Sequence, residues 1–566
     1  MDKKLMKAAA AVAAAGTALY AADKWKKKTS AQKSEETSSV ISGRDYGDRQ
    51  VYIIGGGLAG LSAAAWLIRD AGFSGDHIHI YEAQDTLGGS ADGCGSNESG
   101  FVCRGQHLLN EETFLNFFDL FSSIPSLDHP DISVSDEIRS FREEYPIRAR
   151  ARLVDRDANL IDVSRYGFDN QDRLDLTKLL FTREESLEDK KINEWFGPHF
   201  FTTNFWYLWQ TTFAFKETSG VFEFRRFLNS MMNEFPRMDT MEGITRFPFN
   251  PYESMILPLA EYLKTNQVEL VTGRTVTEID FDGELLITAN ALHFDDGSSV
   301  SLSGRDLCLF TNACMADACA RGDLHTPAPE PEKLPISNQL WTKAAAQKAC
   351  LGNPFPFFSN PEETNWETFT ITMHGDKLLK MLTTFSGNEP GTGGFITFRD
   401  SPWLASLMIP AQPYFREQAD DITVLWGNGL NTNVPGEYVK KTMRECTGEE
   451  ILHELICSLH WDECWEDLKA DLVNVIPSYM PYASAQYMPH KKADRPPVVP
   501  NGSTNFAMIG QFTEIPDGMV FTEEYSVRSA RIAVYQLLDI ALPIAQAAEY
   551  WKKPDTLVKA TQSLYR

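Results

Sequence analysis

The stretch VYIIGGGLAGLSAAAWLIRDAG, residues 51–72, is the feature that most restricts what this chain can fold into. A short apolar run leads into glycines spaced as GxGxxG, Gly55, Gly57 and Gly60, and an apolar helical pattern follows directly. Glycines at this spacing let the backbone turn sharply and approach a pyrophosphate, which then lies at the positive end of the helix. Glu82 ends the next predicted strand, where a carboxylate can accept hydrogen bonds from ribose hydroxyls. The sequence therefore predicts a βαβ unit that binds a dinucleotide.

A second pair of glycines follows the acidic residue closely. The segment LGGS contains Gly88, Gly89 and Ser90. Backbone amides at such a pair can meet the pyrophosphate of a flavin dinucleotide, for which a simple nicotinamide dehydrogenase has less need. The combination therefore favours FAD over NAD as the cofactor. Leu58 and Ala59, between the glycines of the first motif, are expected to line the same site.

Charge and cysteine usage exclude some classes of ligand. The chain has 566 residues and a formal charge of −25, and such a field repels a nucleic-acid backbone. The nine cysteines include no CxxC pair, and no histidine cluster lies beside Cys314 and Cys319. This pattern indicates free thiols in a reducing compartment and no metal site. We therefore expect an intracellular protein that binds neither nucleic acid nor metal.

The N-terminal segment differs in composition from the rest of the chain. An alanine-rich run from Ala8 to Ala22 is flanked by lysines. As a helix it would span about 22 Å, less than the roughly 30 Å hydrocarbon core of a bilayer. A signal-type segment, a short membrane anchor and an interfacial helix are all compatible with this pattern. Because the free cysteines disfavour secretion, we expect this segment to associate with a membrane surface.

Hydrophobic periodicity divides the chain into helical and strand-rich parts. The strand, loop and helix pattern near the C-terminus predicts that the last part returns to the first sheet. The predicted class is α/β, with a discontinuous Rossmann-like FAD-binding domain, a mixed α+β substrate domain and helical elements. The expected parts are an apolar and basic segment (1–28), a disordered linker (29–49), the FAD-binding βαβ part (50–110), a mostly helical substrate region (111–265), a strand-rich part (266–325), a substrate or lid domain (326–500), a C-terminal FAD segment (501–540) and a helical tail (541–566).

Longer motifs along the chain resemble one known family. LIRDAGFSGDHIHIYEAQDTLGGSADG, NFWYLWQTTFAF, GTGGFITFRDSPWL, ECTGEEI and FTEEYSVRSARIAVY are similar to motifs of the oleate hydratase family, also called the myosin-cross-reactive antigen family, and occur in order between residues 51 and 537. The resemblance implies three domains around FAD with a C-terminal helical part. It also implies a long-chain unsaturated fatty acid as substrate, with water added to a cis double bond, and leaves a homodimer open.

The resemblance extends the expected cofactor site beyond the first glycine motif. RG follows the second glycine pair, TNA ends a predicted strand, and IGQF with FTEEYSV forms the C-terminal flavin segment. Because hydration involves no net redox change, the flavin is expected to shape the site and to help stabilise positive charge. The residues expected to bind FAD are Gly55, Gly57, Leu58, Ala59, Gly60, Glu82, Gly88, Gly89, Ser90, Arg104, Gly105, Thr311, Asn312, Gly510, Phe521 and Thr522.

The expected reaction site departs from the family pattern at three places. One is KETSGVFEF, residues 216–224, which lacks the Trp-His-Ser of the family. The water-activating glutamate of the family lies in RGGRE, whereas this chain reads RGQHL, and either register places Leu108 or Leu109 at the carboxylate position. The proton donor of the family is the tyrosine of RRY, and this chain has Phe227 there. Neither leucine nor phenylalanine can transfer a proton.

Other side chains are candidates for the missing proton chemistry. A histidine side chain can transfer protons in proteins, which makes His107 one candidate, with Glu111 or Glu112 one turn further on. Tyr207, or the cluster of Tyr479, Tyr482 and Tyr487, would supply a phenol. Cofactor or solvent contact for His107 and a helix start for Glu111 are the alternative interpretations. The substrate is expected to meet stretches that match the family. The residues expected to bind it are Gln412, Tyr414, Thr392, Gly393 and Gly394.

Three functions are compatible with these residues. The first is hydration of a fatty acid through relocated acid and base groups. The second is an FAD-dependent double-bond isomerase or oxidoreductase that acts on a fatty or polyketide chain, and the third is a non-catalytic flavoprotein that binds lipid. The resemblance favours hydration.

Overall fold

Short apolar strands form the centre of the computed structural model, which describes residues 46–283, 286–331 and 334–565. The predicted segment 1–28 and residues 29–45 of the predicted linker lie outside these ranges. In chain order the strands are β1 (Val51–Ile54), β2 (Ile78–Tyr81), β3 (Gly93–Ser96), β4 (Gly100–Cys103), β5 (Leu153–Val154), β6 (Glu269–Val271), β7 (Val276–Asp282), β8 (Thr288–Phe294), β9 (Ser299–Ser301), β10 (Leu307–Thr311), β11 (Ala320–Arg321), β12 (Trp366–His374), β13 (Ile396–Phe398), β14 (Ala405–Met408), β15 (Ile422–Gly429), β16 (Leu472–Met480) and β17 (Phe506–Ile509).

The helices surround these strands. In chain order they are α1 (Leu58–Trp66), α2 (Leu115–Phe121), α3 (Val134–Glu144), α4 (Asn170–Phe181), α5 (Asn204–Phe213), α6 (Val221–Ser230), α7 (Leu257–Thr265), α8 (Ile336–Gln347), α9 (Phe355–Phe358), α10 (Pro361–Thr364), α11 (Lys377–Ser386), α12 (Gly448–Ser458), α13 (Trp465–Ala470), α14 (Glu523–Leu537) and α15 (Pro554–Ser563). Within the described ranges, none of them is both long and apolar enough to cross a bilayer.

The first sheet is parallel and draws its strands from distant parts of the chain. Its order is β17-β10-β1-β2-β6. β1 and β17 are buried along their whole length, as expected where a parallel sheet is covered on both faces. α1 and α14 pack together beside it, and the indole of Trp66 donates to the carbonyl of Val527 at 3.2 Å. The predicted α/β class with a discontinuous Rossmann-like sheet is confirmed.

The second sheet has the order β11-β16-β12-β15-β14-β13-β5. Its long strands β12, β15 and β16 pair antiparallel. The β3–β4 hairpin lies against β12, where the Phe101 amide donates to Thr372 Oγ1 at 2.9 Å. β4 ends at Cys103. The segment that follows it leaves the second sheet and runs towards the first. The limits of the predicted parts stay predictions.

The segment around α5 carries a stripe of aromatic side chains, which is mainly part of the hydrophobic core. Phe205, Trp206 and Trp209 are buried, and the rings of Phe205 and Trp209 stack at 5.4 Å between centroids. Thr203 caps the helix by accepting a hydrogen bond from the Trp206 amide at 3.1 Å. Packing therefore accounts for most of this stripe.

Candidate cofactor and substrate site

A large cleft opens at the carboxyl ends of the parallel strands. Its empty space is about 1960 Å³, including the part open to solvent. Gly55 follows β1, Glu82 follows β2, Thr311 ends β10 and Gly510 follows β17, and all four residues line the cleft. Ligands of open parallel sheets bind outside the carboxyl ends of the strands. The fold thus places the predicted nucleotide motif where a ligand is expected.

The turn between β1 and α1 requires glycine for steric reasons. A Cβ atom on Gly60 would lie 2.0 Å from the carbonyl oxygen of Gly55, so a side chain there would push the helix off the turn. Gly57 precedes α1 and supplies no side-chain cap, and Gly57, Leu58 and Ala59 line the cleft. The first amide groups of the helix are therefore available to an anion such as a pyrophosphate.

Glu82 stabilises this turn. Its Oε2 accepts a hydrogen bond from the Gly56 amide at 2.7 Å, and its Oε1 accepts one from the Gln84 amide at 2.8 Å. The side chain is buried, and burial raises the pKa of the carboxyl. Since each carboxylate oxygen has a further lone pair, the group can still accept hydrogen bonds from ribose hydroxyls.

The second glycine pair lies against the first motif. The Gly88 amide donates to the Gly56 carbonyl at 3.0 Å. Gly88 has a φ of +114°, a conformation that side-chain-bearing residues rarely adopt. Gly88, Gly89 and Ser90 all line the cleft, so a second set of backbone groups faces the same ligand space.

Arg104 and Gly105 follow β4 and also line the cleft. The Arg104 guanidinium donates to Asp92 Oδ2 at 2.8 Å and to the Ala316 carbonyl at 2.7 Å. Its Nε is buried and has no partner within the described part of the chain. A bound ligand could satisfy this donor, because buried polar groups are normally hydrogen-bonded.

The C-terminal part of the chain supplies the remaining predicted cofactor residues. Phe521 and Thr522 line the cleft, and Thr522 Oγ1 caps α14 by accepting from the Tyr525 amide at 3.3 Å. Every residue predicted to bind FAD lines the cleft except Gly60 and Asn312. Asn312 instead donates to the Phe512 carbonyl at 3.0 Å. The lining residues fit a dinucleotide through backbone amides, a carboxylate and a guanidinium.

A further part of the cleft lining is apolar. Phe227 lies there and is 1% exposed, and its ring packs edge to face on Phe213 at 5.5 Å between centroids. Leu108 lines the cleft, whereas Leu109 is fully buried in the core. The apolar residues that line this part of the cleft are Leu108, Phe114, Phe213, Phe227, Met231, Ile244 and Met255. Such a surface suits a hydrocarbon chain.

His107 is the candidate catalytic residue that lines the cleft. Its Nδ1 contacts Oε1 of Glu523. The exposed fraction is 19% for the His107 side chain and 6% for that of Glu523. The cleft therefore contains a paired imidazole and carboxylate.

The other two candidate catalytic side chains lie outside the cleft lining of the described chain. Glu111 accepts hydrogen bonds from Arg139 Nε and Arg142 Nη1, each at 2.9 Å. Tyr207 packs against the cluster that contains Leu404, and burial raises the pKa of its phenol. Glu111 therefore belongs to an ion-pair network with two arginines, and Tyr207 packs against a hydrophobic cluster.

A smaller chamber adjoins the cleft and contains a buried arginine. Its empty space is about 320 Å³, including the part open to solvent. Arg246 is 6% exposed, and all three guanidinium nitrogens lack a partner within the described residues. Burial lowers the pKa of Arg246 to about 10. The chamber is lined by Gln106, His107, Phe141, Arg246, Phe247, Phe249, Pro251, Gly391, Met408, Pro410, Ala411 and Tyr414.

This Arg246 chamber communicates with the cleft through shared residues. Gln106 and His107 line both spaces. None of the described lining residues of the chamber is an Asp or Glu. An unpaired buried cation is costly, so the chamber is suited to an anion that enters beside His107.

The predicted substrate residues differ in their relation to this chamber. Tyr414 lines it, and its hydroxyl accepts a hydrogen bond from Gln106 Nε2 at 2.5 Å. Gln412 lies outside the described lining of both cavities. Its side-chain amide forms two hydrogen bonds with the backbone of Val424. Nε2 donates to the Val424 carbonyl at 2.9 Å, and Oε1 accepts from the Val424 amide at 3.1 Å.

The TGG segment lies next to the chamber without lining it. Thr392 Oγ1 donates to the Glu389 carbonyl at 2.9 Å. A Cβ on Gly393 would lie 2.7 Å from Asn388, and one on Gly394 would lie 2.8 Å from Arg152. These glycines thus permit close packing in the fold.

Two charged residues of the site were not predicted from the sequence. Arg246 stands alone in the apolar stretch ITRFPF, where no motif marks it. Glu523 is one of two consecutive glutamates that start α14, and acidic residues at a helix start are common without any ligand. Only the tertiary fold shows which of the two faces the cleft.

The parallel sheet, the glycine turn and the carboxylate after β2 together define a dinucleotide-binding protein of the Rossmann-like type. The chain belongs to the MCRA family, whose model matches residues 48–535. The predicted family is thereby confirmed. Membership of the family also supports FAD as the cofactor.

Individual relatives agree with this assignment. The chain is 34% identical to the linoleate hydratase of Lactiplantibacillus plantarum over 91% of its own length and 98% of that protein. It is 35% identical to the oleate hydratase of Streptococcus pyogenes serotype M49 (strain NZ131), over 87% and 85% of the two chains. Cyclohexylamine oxidase from Brevibacterium oxydans IH-35A shares the fold with a TM-score of 0.53, at 14% identity over 87% of this chain and 99% of the oxidase.

Proposed function

We propose that this chain is an FAD-binding hydratase that adds water to a double bond of a long-chain unsaturated fatty acid. The proposal rests on one observation. A single cleft contains both the dinucleotide-binding turn and an apolar lining, and the chamber beside it contains an arginine without a partner among the described residues. Two hydratases among the relatives support the reaction class.

FAD would be held by the backbone of the two glycine motifs, by Glu82 and by Arg104. When bound, the flavin supplies a ring system that shapes the site and helps to stabilise positive charge. The residues of this chain do the rest: they position the cofactor and enclose the acyl chain.

The substrate carboxylate would bind to Arg246. A guanidinium recognises a carboxylate through two parallel hydrogen bonds, and Arg246 has all of its side-chain donors free among the described residues. Gln106 and the Tyr414 hydroxyl line the same chamber. The acyl chain would then pass His107 into the apolar part of the cleft.

Proton transfer in the cleft would depend on His107. A leucine and a phenylalanine stand at the positions where the resemblance implies a carboxylate and a phenol, and both Leu108 and Phe227 line the cleft. His107 lies beside Leu108, and its imidazole can accept or donate a proton.

Product analysis tests this function. The purified protein is incubated with a panel of unsaturated fatty acids, with oxidised and with reduced FAD, and the products are analysed by mass spectrometry. A product heavier by one water supports hydration. An isomer of unchanged mass, or a fatty acid that stays bound and unconverted, would contradict it.

The N-terminal segment, residues 1–28, is proposed to hold the protein at an intracellular membrane surface. Its lysine-flanked alanine run supports the proposal. Removal of residues 1–30 should shift the protein from the membrane fraction to the supernatant. An unchanged membrane fraction would contradict this role.

A further inference from the structure

The cleft lining contains few side chains that could exchange a proton with a substrate. Within the described residues they are Tyr81, Glu82, Arg104, His107, Arg274, Cys314, Asp317 and Glu523. The two arginines stay protonated in proteins. Burial raises the pKa of the Cys314 thiol to about 12 and also raises the pKa of Tyr81. These four groups are therefore poor proton acceptors near neutral pH.

Two of the carboxylates are engaged with the backbone. Glu82 accepts from the amides of Gly56 and Gln84 at the nucleotide turn. Asp317 Oδ2 accepts from the Ser337 amide at 2.8 Å, at the start of α8. The remaining pair is His107 and Glu523.

The pair has a defined geometry. Glu523 Oε1 contacts Nδ1 of His107, and within the described part of the chain the His107 ring forms its side-chain hydrogen bond through Nδ1, not Nε2. His107 lies where the cleft and the Arg246 chamber meet, because it lines both. Its Nε2 is thus placed between the proposed headgroup site and the apolar lining.

Glu523 lies in its helix where an acidic side chain is favourable. Glu523 is the first residue of α14, and Thr522 caps the helix. The positive end of a helix stabilises a negative charge in its first turn. A carboxylate that receives a hydrogen bond from one ring nitrogen fixes the tautomer of a histidine and the orientation of its ring.

We propose that Glu523 is a positioning residue that holds the His107 proton on Nδ1, so that Nε2 accepts a proton from the water that adds to the alkene. This inference rests on the proposed hydration. It assigns the base to His107 and gives a role to Glu523, which no sequence motif identified.

Solvent supplies one proton to this step and receives one from it. The water oxygen forms a bond to one alkene carbon while His107 Nε2 takes one of its protons. The other alkene carbon takes a proton delivered from solvent, and the imidazolium then returns its proton to solvent water. The net reaction consumes one alkene and one water and yields one alcohol.

Three substitutions in the FAD-loaded protein separate this role from a structural one. H107Q should lower kcat by about 10²–10⁴-fold, the usual contribution of a general base. E523Q should lower kcat by about 10–100-fold with little change in KM, as expected for an outer partner that orients a reactive group. E524Q is the matched control, because Glu524 instead accepts from Asn116 Nδ2 at 2.6 Å and from the Phe117 amide at 2.9 Å, and it should retain kcat.

The tautomer of His107 gives a readout that is independent of turnover. In ¹⁵N-histidine-labelled protein, the signal missing from H107Q identifies His107. The wild type and E524Q should show the Nδ1-protonated tautomer, and E523Q should show a shift towards the other one. Added formate should restore part of kcat in E523A.

The outcomes distinguish the inference from the function on which it rests. If the wild type hydrates its substrate while E523Q keeps both kcat and the His107 tautomer, the role of Glu523 is wrong and the proposed function stands. If the wild type makes no hydroxy acid, the proposed function fails, and the base role of His107 fails with it, whatever the tautomer.

Discussion

The nucleotide end of the cleft and its apolar end differ in how the chain builds them. At the nucleotide end, glycines and backbone amides form the site, and nearly every residue expected there lines the cleft. At the apolar end, side chains from distant segments form the site. Of its candidate catalytic residues, His107 lines the cleft, whereas Glu111 and Tyr207 make other contacts.

The difference shows that backbone sites and side-chain sites follow different constraints. A pyrophosphate turn depends on a fixed local spacing, since any side chain on Gly60 would collide with the turn. A proton-transfer site requires only that suitable groups meet in space. Such groups can move to other positions in the sequence while the fold and cofactor site are kept.

The largest expected effect comes from breaking the nucleotide end. G60A would place a methyl group 2.0 Å from the Gly55 carbonyl oxygen, so we expect FAD affinity to fall on the order of 100-fold or more. Flavin absorbance after gel filtration measures the loss. G304A is the control, because its Cβ meets nothing within 4 Å, and it should bind FAD as the wild type does. Equal flavin content in G60A would contradict the steric argument.

The next effect concerns the apolar end, where two buried arginines allow a matched pair of substitutions. R246M should raise the KM for the fatty acid about 10–100-fold, through loss of a charged hydrogen-bonding partner. Without fatty acid, its melting temperature should equal or exceed that of the wild type, because an unpaired buried charge is removed.

Arg152 provides the control for this substitution. It is also buried, but its guanidinium donates to the Met238 carbonyl at 2.7 Å and to Thr212 Oγ1 at 2.9 Å. R152M should therefore destabilise the protein by about 1–3 kcal/mol. If R246M destabilises the protein as much as R152M does, Arg246 is a structural residue.

The smallest effect concerns Glu524, the neighbour of Glu523 that faces the core. Burial raises the pKa of Glu524 to about 7. Because the folded-state pKa is higher than the unfolded value, the stabilising contribution of Glu524 is full in acid and is lost as the pH rises through about 7. E524Q should therefore gain stability relative to the wild type between about pH 5 and about pH 8 in urea unfolding. Parallel pH curves for the two proteins would contradict this.

The sequence predicts the fold and the nucleotide end well, for a physical reason. The GxGxxG spacing, Glu82 and the second glycine pair all act through local backbone geometry, which adjacent residues determine. The Arg246 chamber joins residues near 106, 246 and 410, and the His107–Glu523 pair joins residues more than four hundred positions apart. No local pattern encodes these contacts, and Gln412 shows that a stretch similar to the family can hold a residue whose amide serves the fold.

The central claim is that the chain keeps its cofactor site and performs hydration with a relocated base. Its most direct test is the reaction of the FAD-loaded wild type and of H107Q with an unsaturated fatty acid in ¹⁸O-labelled water, followed by mass spectrometry. We predict a hydroxy acid that carries the label in the wild type, and little of it in H107Q at equal flavin content. An absence of labelled product in the wild type, or an equal rate of labelling in H107Q, would contradict the account.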